Sequence, residues 1–246
     1  MNERGIGEMK PTLVIPMYNE SKILPDTLEK VFGYMEAEFP DGYEVIFSDD
    51  GSLDGSRSIV DEFAKSHGFF RTVGYEKNRG KGCAVRTGVL AAEGDIVICT
   101  DCDLAYGLEV VGQAMRIFEN DEAATLVIGS RRLAKDGYEG YTFIRKLASK
   151  TYLKCLAIAA GFRLSDSQCG FKCYRTDAGK KIFEGCEIDG FAFDFEALIR
   201  AQKFGMKIVE MPVKVINHRE SKVHVFSDSI KMLRDIAAIK KREKLK

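Results

Sequence analysis

The stretch that decides the fold is Ile96-Val-Ile-Cys-Thr-Asp-Cys-Asp103. Its opening run is apolar and mostly β-branched, which is typical of a short buried strand. Two carboxylates then follow one residue apart, and a buried strand accommodates such charges only if they have a partner. Hard oxygen ligands suit Mg²⁺ or Mn²⁺, so Asp101 and Asp103 are candidate metal ligands. The alternative is that they end the strand and cap the next helix.

The same alternation of strand, loop and helix fills the first half of the chain. Three more apolar strands are predicted, at Thr12–Ile15, Glu44–Ser48 and Arg71–Tyr75. Helical spacing of apolar residues follows each of them, at about Ile23–Phe39, Asp54–Ser66 and Ala84–Ala92. This order predicts an α/β fold with a Rossmann-like, mostly parallel, doubly wound sheet and helices on both faces.

Ligands of such sheets bind at the carboxyl edge of the strands, where four loops are expected to converge. These loops span Pro16–Glu20, Asp49–Ser52, Asn78–Gly82 and Asp101–Asp103. Two of them bring carboxylates, and one brings Arg79 and Lys81. The chain has no Walker-type phosphate loop, and its Gly80-x-Gly82 lacks the third glycine of a dinucleotide fingerprint. A routine ATPase or dehydrogenase is therefore excluded.

The second half of the chain contributes further elements without a linker rich in Pro, Gly or Ser. Strands are predicted at Leu126–Ser130, Phe171–Tyr174 and Lys207–Val213. Helices are predicted at about Thr142–Ala160 and Asp194–Phe204. We therefore predict one domain, in which the second half completes the site.

Composition limits the classes of function that the chain can have. The 246 residues include 37 basic and 37 acidic side chains, which gives no support to broad electrostatic binding of nucleic acid. The seven cysteines are odd in number and no secretory signal opens the chain, so reduced thiols in a cytoplasmic protein are expected. No apolar run approaches the roughly 20 residues of a membrane-spanning helix.

Six stretches of the chain resemble family 2 glycosyltransferases of the GT-A fold. They are Val14–Glu20, Asp49–Ser56, Asn78–Gly88, Asp101–Leu104, Gly129–Arg131 and Asp166–Lys172. They lie in the order that the family has, and the resemblance covers roughly residues 11–225. Within the family, the chain is similar to the enzymes that load glucose or mannose from a nucleotide sugar onto dolichyl or another polyprenyl phosphate.

The resemblance implies a donor site in the first half of the chain. Its donor-nucleotide contacts would be Pro16, Tyr18, Glu20, Asp50, Lys81 and Asp101. Asp50 would bond the base, and Asp101 and Asp103 would hold Mg²⁺ or Mn²⁺ on the donor diphosphate. The mannosyl branch often has Gln two residues after the second Asp, where this chain has Ala105. This difference favours UDP-glucose over GDP-mannose.

The resemblance also implies a clamp for the acceptor phosphate, made by Arg131, Arg145 and Ser149, with Lys222 as a looser match. Arg145 and Ser149 are four residues apart and would share one helix face, and the guanidinium fork suits phosphate oxygens. From spacing alone, a solvated arginine and a helix-surface serine remain the alternative. Asp101, Asp103 and Arg131 are thus the predicted catalytic residues.

The implied reaction is a single displacement that inverts the anomeric centre. A phosphomonoester acceptor is already ionised at neutral pH and needs little general-base help. Two alternatives stay open: an enzyme with a hydroxyl (glycan) acceptor, and a non-catalytic subunit that binds nucleotide sugars. For a hydroxyl acceptor, Asp194 and Glu196 are the candidate bases, although both could simply cap a helix.

The predicted organisation has four parts. Residues 1–10 form a flexible N-terminus, about 11–125 the nucleotide-sugar half, and about 126–225 the acceptor half. Residues 226–246 form an amphipathic, basic C-terminal helix, which combines the apolar area and cations that suit an anionic membrane surface but could equally pack on the core. We expect peripheral attachment to the cytoplasmic face of a membrane, through this helix or a membrane-anchoring partner protein.

Overall fold

A computed structural model describes residues 9–135, 164–217, 234–239 and 241–242. Its centre is one seven-stranded sheet with the order β3-β2-β1-β4-β6-β5-β7. The strands are β1 (Pro11–Met17), β2 (Glu44–Asp49), β3 (Phe70–Gly74), β4 (Ile96–Cys99), β5 (Ala124–Ser130), β6 (Lys172–Arg175) and β7 (Lys207–Pro212). The predicted α/β fold with a mostly parallel sheet is confirmed, and every predicted strand bound lies within two residues of the observed one.

Helices cover both faces of the sheet. They are α1 (Leu24–Glu38), α2 (Ser56–Ala64), α3 (Lys81–Ala91), α4 (Glu109–Asn120), α5 (Thr176–Phe183) and α6 (Phe193–Lys203). Alternate residues of β1 point to opposite faces. Leu13 and Ile15 join the core beneath α1 and α4, whereas Val14 joins the core beneath α3, α5 and α6. The continuous apolar run of β1 is thus explained, because the sheet is buried on both sides.

β6 runs against its neighbours, a direction that the sequence did not reveal. It pairs antiparallel with β4, where Cys99 lies opposite Lys172, and antiparallel with β5, where Ile128 also lies opposite Lys172. β6 therefore begins at the edge where the parallel strands end. The residues just before it, up to Phe171, are delivered to that edge beside the end of β4.

Three differences from the sequence prediction concern helices. Helix α4 was not predicted, although Val111, Ala114, Met115 and Phe118 have helical spacing and are buried. Helix α5 was also not predicted. Helix α3 begins three residues earlier than expected, because the backbone N–H groups of its first turn find acceptors in a neighbouring loop.

Some predictions lie outside the described residues. They include Arg145, Ser149 and Lys222, the helix at Thr142–Ala160 and most of the C-terminal helix at 226–246. Within the described ranges, no helix is both long enough and apolar enough to cross a membrane.

Candidate active site

A tight turn places the two aspartates at the carboxyl edge. After β4 the chain reverses, because the backbone N–H of Leu104 donates to the carbonyl of Asp101 at 3.0 Å. Leu104 has a φ of 50°, in the left-handed region that a bulky residue seldom adopts. Asp103 stabilises the turn, because its Oδ1 accepts the backbone N–H of Ala105 at 3.1 Å. Asp101 and Asp103 therefore leave the sheet together and are both partly exposed.

Asp101 is held between a cation and a glycine. Lys81 Nζ lies 2.5 Å from Asp101 Oδ1, and each side chain is about 30% exposed. Burial alone would raise the pKa of Asp101, but the charge and hydrogen bond of Lys81 outweigh it and lower the pKa. On the other side, a Cβ added to Gly170 would lie 2.4 Å from Asp101 Oδ2. The carboxylate is thus ionised, and its Oδ2 lies directly against Gly170.

A second ion pair lies in the wall of the same pocket. Lys172 Nζ is 2.8 Å from Asp194 Oδ1, and Lys172 is only 2% exposed. Lys172 Nζ also donates to the carbonyl of Cys169 at 2.5 Å. Burial raises the pKa of Asp194 even though Lys172 opposes the shift. The pocket is lined by residues from both halves of the chain, including Pro16, Lys81, Asp101, Gly170, Lys172 and Asp194.

Glu196 is not part of this pocket, although the sequence suggested it beside Asp194. It is fully buried, and its carboxylate accepts the backbone N–H groups of Glu187 and Ile188 at 3.1 and 2.8 Å. It is also ion-paired with Arg242. Residues two apart on a helix face different directions. In the described structure its oxygens hold the loop before α6, and a role for Glu196 as a base stays a prediction.

Asp50 is hydrogen-bonded by the loop that precedes α3. Asp50 is 4% exposed. Its carboxylate accepts hydrogen bonds from the hydroxyl of Tyr75 at 2.7 Å and from the side-chain amide of Asn78 at 2.8 Å. It also accepts the backbone N–H groups of Arg79 and Gly80 at 2.9 and 3.0 Å. Both oxygens are used by the chain itself. Asp50 therefore holds the loop before α3, and its bond to the base stays a prediction.

The loop after β1 and the loop after β2, which are expected to lie at the nucleoside, are hydrogen-bonded to each other. The N–H of Asn19 donates to Ser52 Oγ at 3.0 Å, the N–H of Glu20 to Ser56 Oγ at 2.8 Å, and the N–H of Ser21 to Asp54 at 3.0 Å. These contacts place Pro16, Tyr18 and Glu20 at the edge, with Tyr18 36% exposed. An exposed ring next to a carboxylate can stack on and hydrogen-bond a base.

Arg131 lies at the end of β5, as predicted. It also forms a buried ion pair, which the sequence did not predict. Its Nε and Nη2 donate to the two oxygens of Asp166 at 2.6 and 2.8 Å, and its backbone N–H donates to Oδ2 at 3.1 Å. Asp166 is fully buried and the Arg131 side chain is 11% exposed. Burial would lower the pKa of Arg131, but Asp166 outweighs it and raises the pKa. The edge of the Arg131 guanidinium formed by Nε and Nη2 is therefore occupied by Asp166, and this ion pair fixes the position of the positive charge.

The donor set at the aspartates fits a cation that is shared with a substrate. Asp101 and Asp103 supply hard carboxylate oxygens. The described part of the chain contains no group of three or more His, Cys, Asp or Glu residues that could hold a metal alone. Mg²⁺ is commonly bound by one or two carboxylates together with substrate phosphates and water. The residues present therefore fit a diphosphate-bound cation.

Comparisons with known proteins identify the family of the chain. The model of glycosyl transferase family 2 matches residues 12–183. The chain is 31% identical over 240 residues to a dolichyl-phosphate beta-glucosyltransferase of Trichomonas vaginalis, covering 94% of this chain and 71% of the relative. It is 28% identical to the human protein of the same name, covering 98% and 81%.

Solved structures show the same fold at lower identity. Glucosyl-3-phosphoglycerate synthase from Mycobacterium tuberculosis in complex with UDP matches with a TM-score of 0.67 and 21% identity, over 94% of this chain and 79% of that one. The same enzyme with Mn²⁺, UDP and phosphoglyceric acid matches with a TM-score of 0.68 and 19% identity, over 94% and 77%.

Proposed function

Because the chain belongs to glycosyl transferase family 2, we propose that it transfers glucose from UDP-glucose to a dolichyl or other polyprenyl phosphate, with inversion. The chain is a glycosyltransferase, as the sequence predicted. The observation that carries the proposal is its similarity, over nearly its whole length, to relatives that are named for this reaction. UDP is the nucleotide in the structural neighbours, and Ala105 also favours it over GDP-mannose.

The donor is proposed to bind along the loops after β1, β3 and β4. Pro16, Tyr18 and Glu20 contact the nucleoside, and Lys81 contacts the diphosphate. Asp101 and Asp103 would hold Mg²⁺ or Mn²⁺ there, and the bound cation would neutralise charge on the leaving nucleoside diphosphate. This is supported by the position of Lys81 Nζ, which lies 2.5 Å from Asp101 and brings a positive charge to the same place.

The acceptor phosphate is proposed to approach from the second half of the chain. Arg131 would attract it, together with Arg145, Ser149 and Lys222. The ion pair with Asp166 supports this role, because it holds the Arg131 guanidinium at the end of β5 before the substrate arrives. An ionised phosphate is itself the nucleophile, so no side chain has to remove a proton.

One observation favours a second candidate function, a glycosyltransferase with a hydroxyl acceptor. Burial raises the pKa of Asp194, and this carboxylate lies in the pocket beside Asp101. A carboxylate whose pKa is raised is a better general base at neutral pH. In this alternative Asp194 removes the proton of the acceptor hydroxyl.

Peripheral attachment to the cytoplasmic face of a membrane completes the proposal. Residues 11–125 would form the donor half, 126–225 the acceptor half, and 226–246 a C-terminal helix. In the described part of that helix Ile239 is fully buried and Arg242 pairs with Glu187, so attachment would be assisted by an anchoring partner. The carboxyl edge supports this arrangement with three exposed aliphatic side chains, Leu53, Leu133 and Ile216, which are 85%, 52% and 64% exposed. A polyprenyl chain must be reached at a bilayer, so an apolar rim around the site is useful there.

A transfer assay tests the proposal. The protein is incubated with radiolabelled UDP-glucose or GDP-mannose, with Mg²⁺ or Mn²⁺, and with a polyprenyl phosphate in detergent. We expect label from UDP-glucose in the organic phase, and its loss when EDTA is added. Label transferred only to a soluble glycan would overturn the polyprenyl-phosphate proposal and support the hydroxyl-acceptor alternative, in which Asp194→Asn should abolish transfer.

A further inference from the structure

We propose that Asp189 is a positioning residue for the donor site, acting through the first turn of α3 and Lys81. It lies outside all six sequence motifs and has no role in the proposed reaction so far. The inference rests on the proposed function only in treating the loop before α3 as the place where the donor diphosphate binds.

The carboxylate of Asp189 joins two arginines on either side of the start of α3. Arg79 Nη2 lies 3.0 Å from Asp189 Oδ2, and Arg86 Nη2 lies 2.5 Å from Oδ1. Burial would raise the pKa of Asp189, but these two cations outweigh it and lower the pKa. One carboxylate thus ties the residue before the helix to a residue in its second turn.

The backbone of Asp189 holds the same turn. Its carbonyl accepts the N–H of Gly82 at 2.8 Å and that of Cys83 at 3.4 Å. The approach is so close that a Cβ on Gly80 would lie 2.5 Å from this carbonyl oxygen, and a Cβ on Gly82 would lie 2.5 Å from the carbonyl oxygen of Ile188. The two glycines are therefore required for the fit of the turn against the 188–190 loop.

Asp50 holds the loop from the opposite side. It accepts the N–H groups of Arg79 and Gly80, whereas Asp189 accepts those of Gly82 and Cys83. The backbone on both sides of Lys81 is thus fixed by hydrogen bonds to two separate parts of the fold. A long lysine side chain loses much rotamer freedom when it is ordered. Because the backbone at Lys81 is fixed, its Cα stays at one place relative to Asp101, and only the side chain has to be ordered for Nζ to reach the carboxylate.

Charge gives Asp189 a second effect on the same turn. Arg86 is only 16% exposed, and one of its nitrogens is buried without a hydrogen-bond partner in the described structure. If the Asp189 charge is removed, Arg79 and Arg86 lose their counter-ion within the turn that carries Lys81. Repulsion among these cations would then move Lys81 away from its place beside Asp101.

The test compares Asp189→Asn with Asp121→Asn in the full-length protein. Asp121 is a matched control, because its carboxylate is 31% exposed and pairs with Lys207 at 2.7 Å at the opposite edge of the sheet. The measurements are the Kd of UDP in the presence of Mg²⁺ and the separate KM values for UDP-glucose and polyprenyl phosphate. We expect Asp189→Asn to raise the Kd of UDP and the donor KM about tenfold, with less than twofold change in the acceptor KM. Asp121→Asn should change all three less than twofold.

The same substitution in a Lys81→Ala background separates positioning from a general loss of stability. If Asp189 acts through Lys81, Asp189→Asn should raise the Kd of UDP less than twofold there, because the two effects are not additive. A full tenfold effect in that background, equal losses for donor and acceptor, or unchanged UDP binding would each overturn the inference. UDP binding is measured without transfer, so failure of the proposed reaction would leave this result interpretable.

Discussion

Replacing Gly170 by alanine should separate the position of Asp101 from the stability of the fold. The new Cβ would lie 2.4 Å from Asp101 Oδ2, which is about 1 Å less than the 3.4 Å at which ordinary contact begins. The Asp101 side chain is about 29% exposed, so it can rotate towards solvent instead of disrupting the core. A displacement of about 1 Å at a reacting centre costs about 100-fold in rate.

The assay is the initial rate of glucose transfer at saturating donor and acceptor, together with a thermal melt of each protein. We expect Gly170→Ala to lose about 100-fold in kcat, while the melting temperature changes by no more than about 4 °C. Gly33→Ala is the control, because Gly33 is exposed in α1 and a Cβ there would meet nothing within 4 Å. That variant should keep full activity and gain up to about 1 kcal/mol in stability.

A kcat within threefold of the wild-type value for a folded Gly170→Ala protein would refute the reasoning. It would mean either that Asp101 does not need its observed position or that it does not take part in transfer. A large fall in melting temperature would instead mean that the clash is relieved by the sheet rather than by the carboxylate.

Three further predictions follow from ion pairs and thiols. Asp166→Asn should cost about 3–5 kcal/mol, because it leaves the buried charge of Arg131 without its partner, and calorimetry should show a melting temperature lower by about 10 °C; a change under 2 °C would contradict this. Burial raises the pKa of Cys99 to about 12, and six of the seven cysteines are buried. A thiol reagent at pH 8 should therefore label at most one cysteine quickly in the native protein. Rapid labelling of two cysteines would contradict this prediction. Lys81 holds the pKa of Asp101 below its usual range, whereas burial opposes it. The stability lost in Lys81→Met should therefore be fully present at neutral pH and should shrink as pH falls towards the lowered pKa of the wild-type carboxyl; a difference that grows in acid would argue against the pair.

The strands could be predicted because each has a strong local pattern. Runs such as Leu13 to Ile15 are short, apolar and β-branched, and turn residues bound them on both sides. The loop at the end of each strand then determines the edge at which Asp101, Lys81 and Arg131 come together. Position in the chain alone was enough to place these residues, and the structure has them at that edge.

The roles of Asp50, Glu196 and Asp189 could not be predicted in this way, because they depend on contacts between distant segments. Asp50 has the pattern of a ligand-binding carboxylate, and the sequence does not show that both of its oxygens accept hydrogen bonds from residues 75–80. Glu196 has the same helix-start pattern as Asp194, and only the bonds to Glu187 and Ile188 distinguish them. The direction of β6 is equally invisible, since a strand of only four residues has the same pattern in both directions.

The antiparallel placement of β6 has a consequence for synthesis of the protein. On the ribosome, β4 emerges with one of its edges unpaired, and this edge stays open until β6 has been made and inserted between β4 and β5. An open edge of apolar residues is a site where nascent chains associate wrongly. The partly made chain is therefore open to wrong association during this interval. A truncated product that ends before Lys172 would lack both the strand between β4 and β5 and one wall of the pocket, so it would aggregate rather than fold into a half-active enzyme.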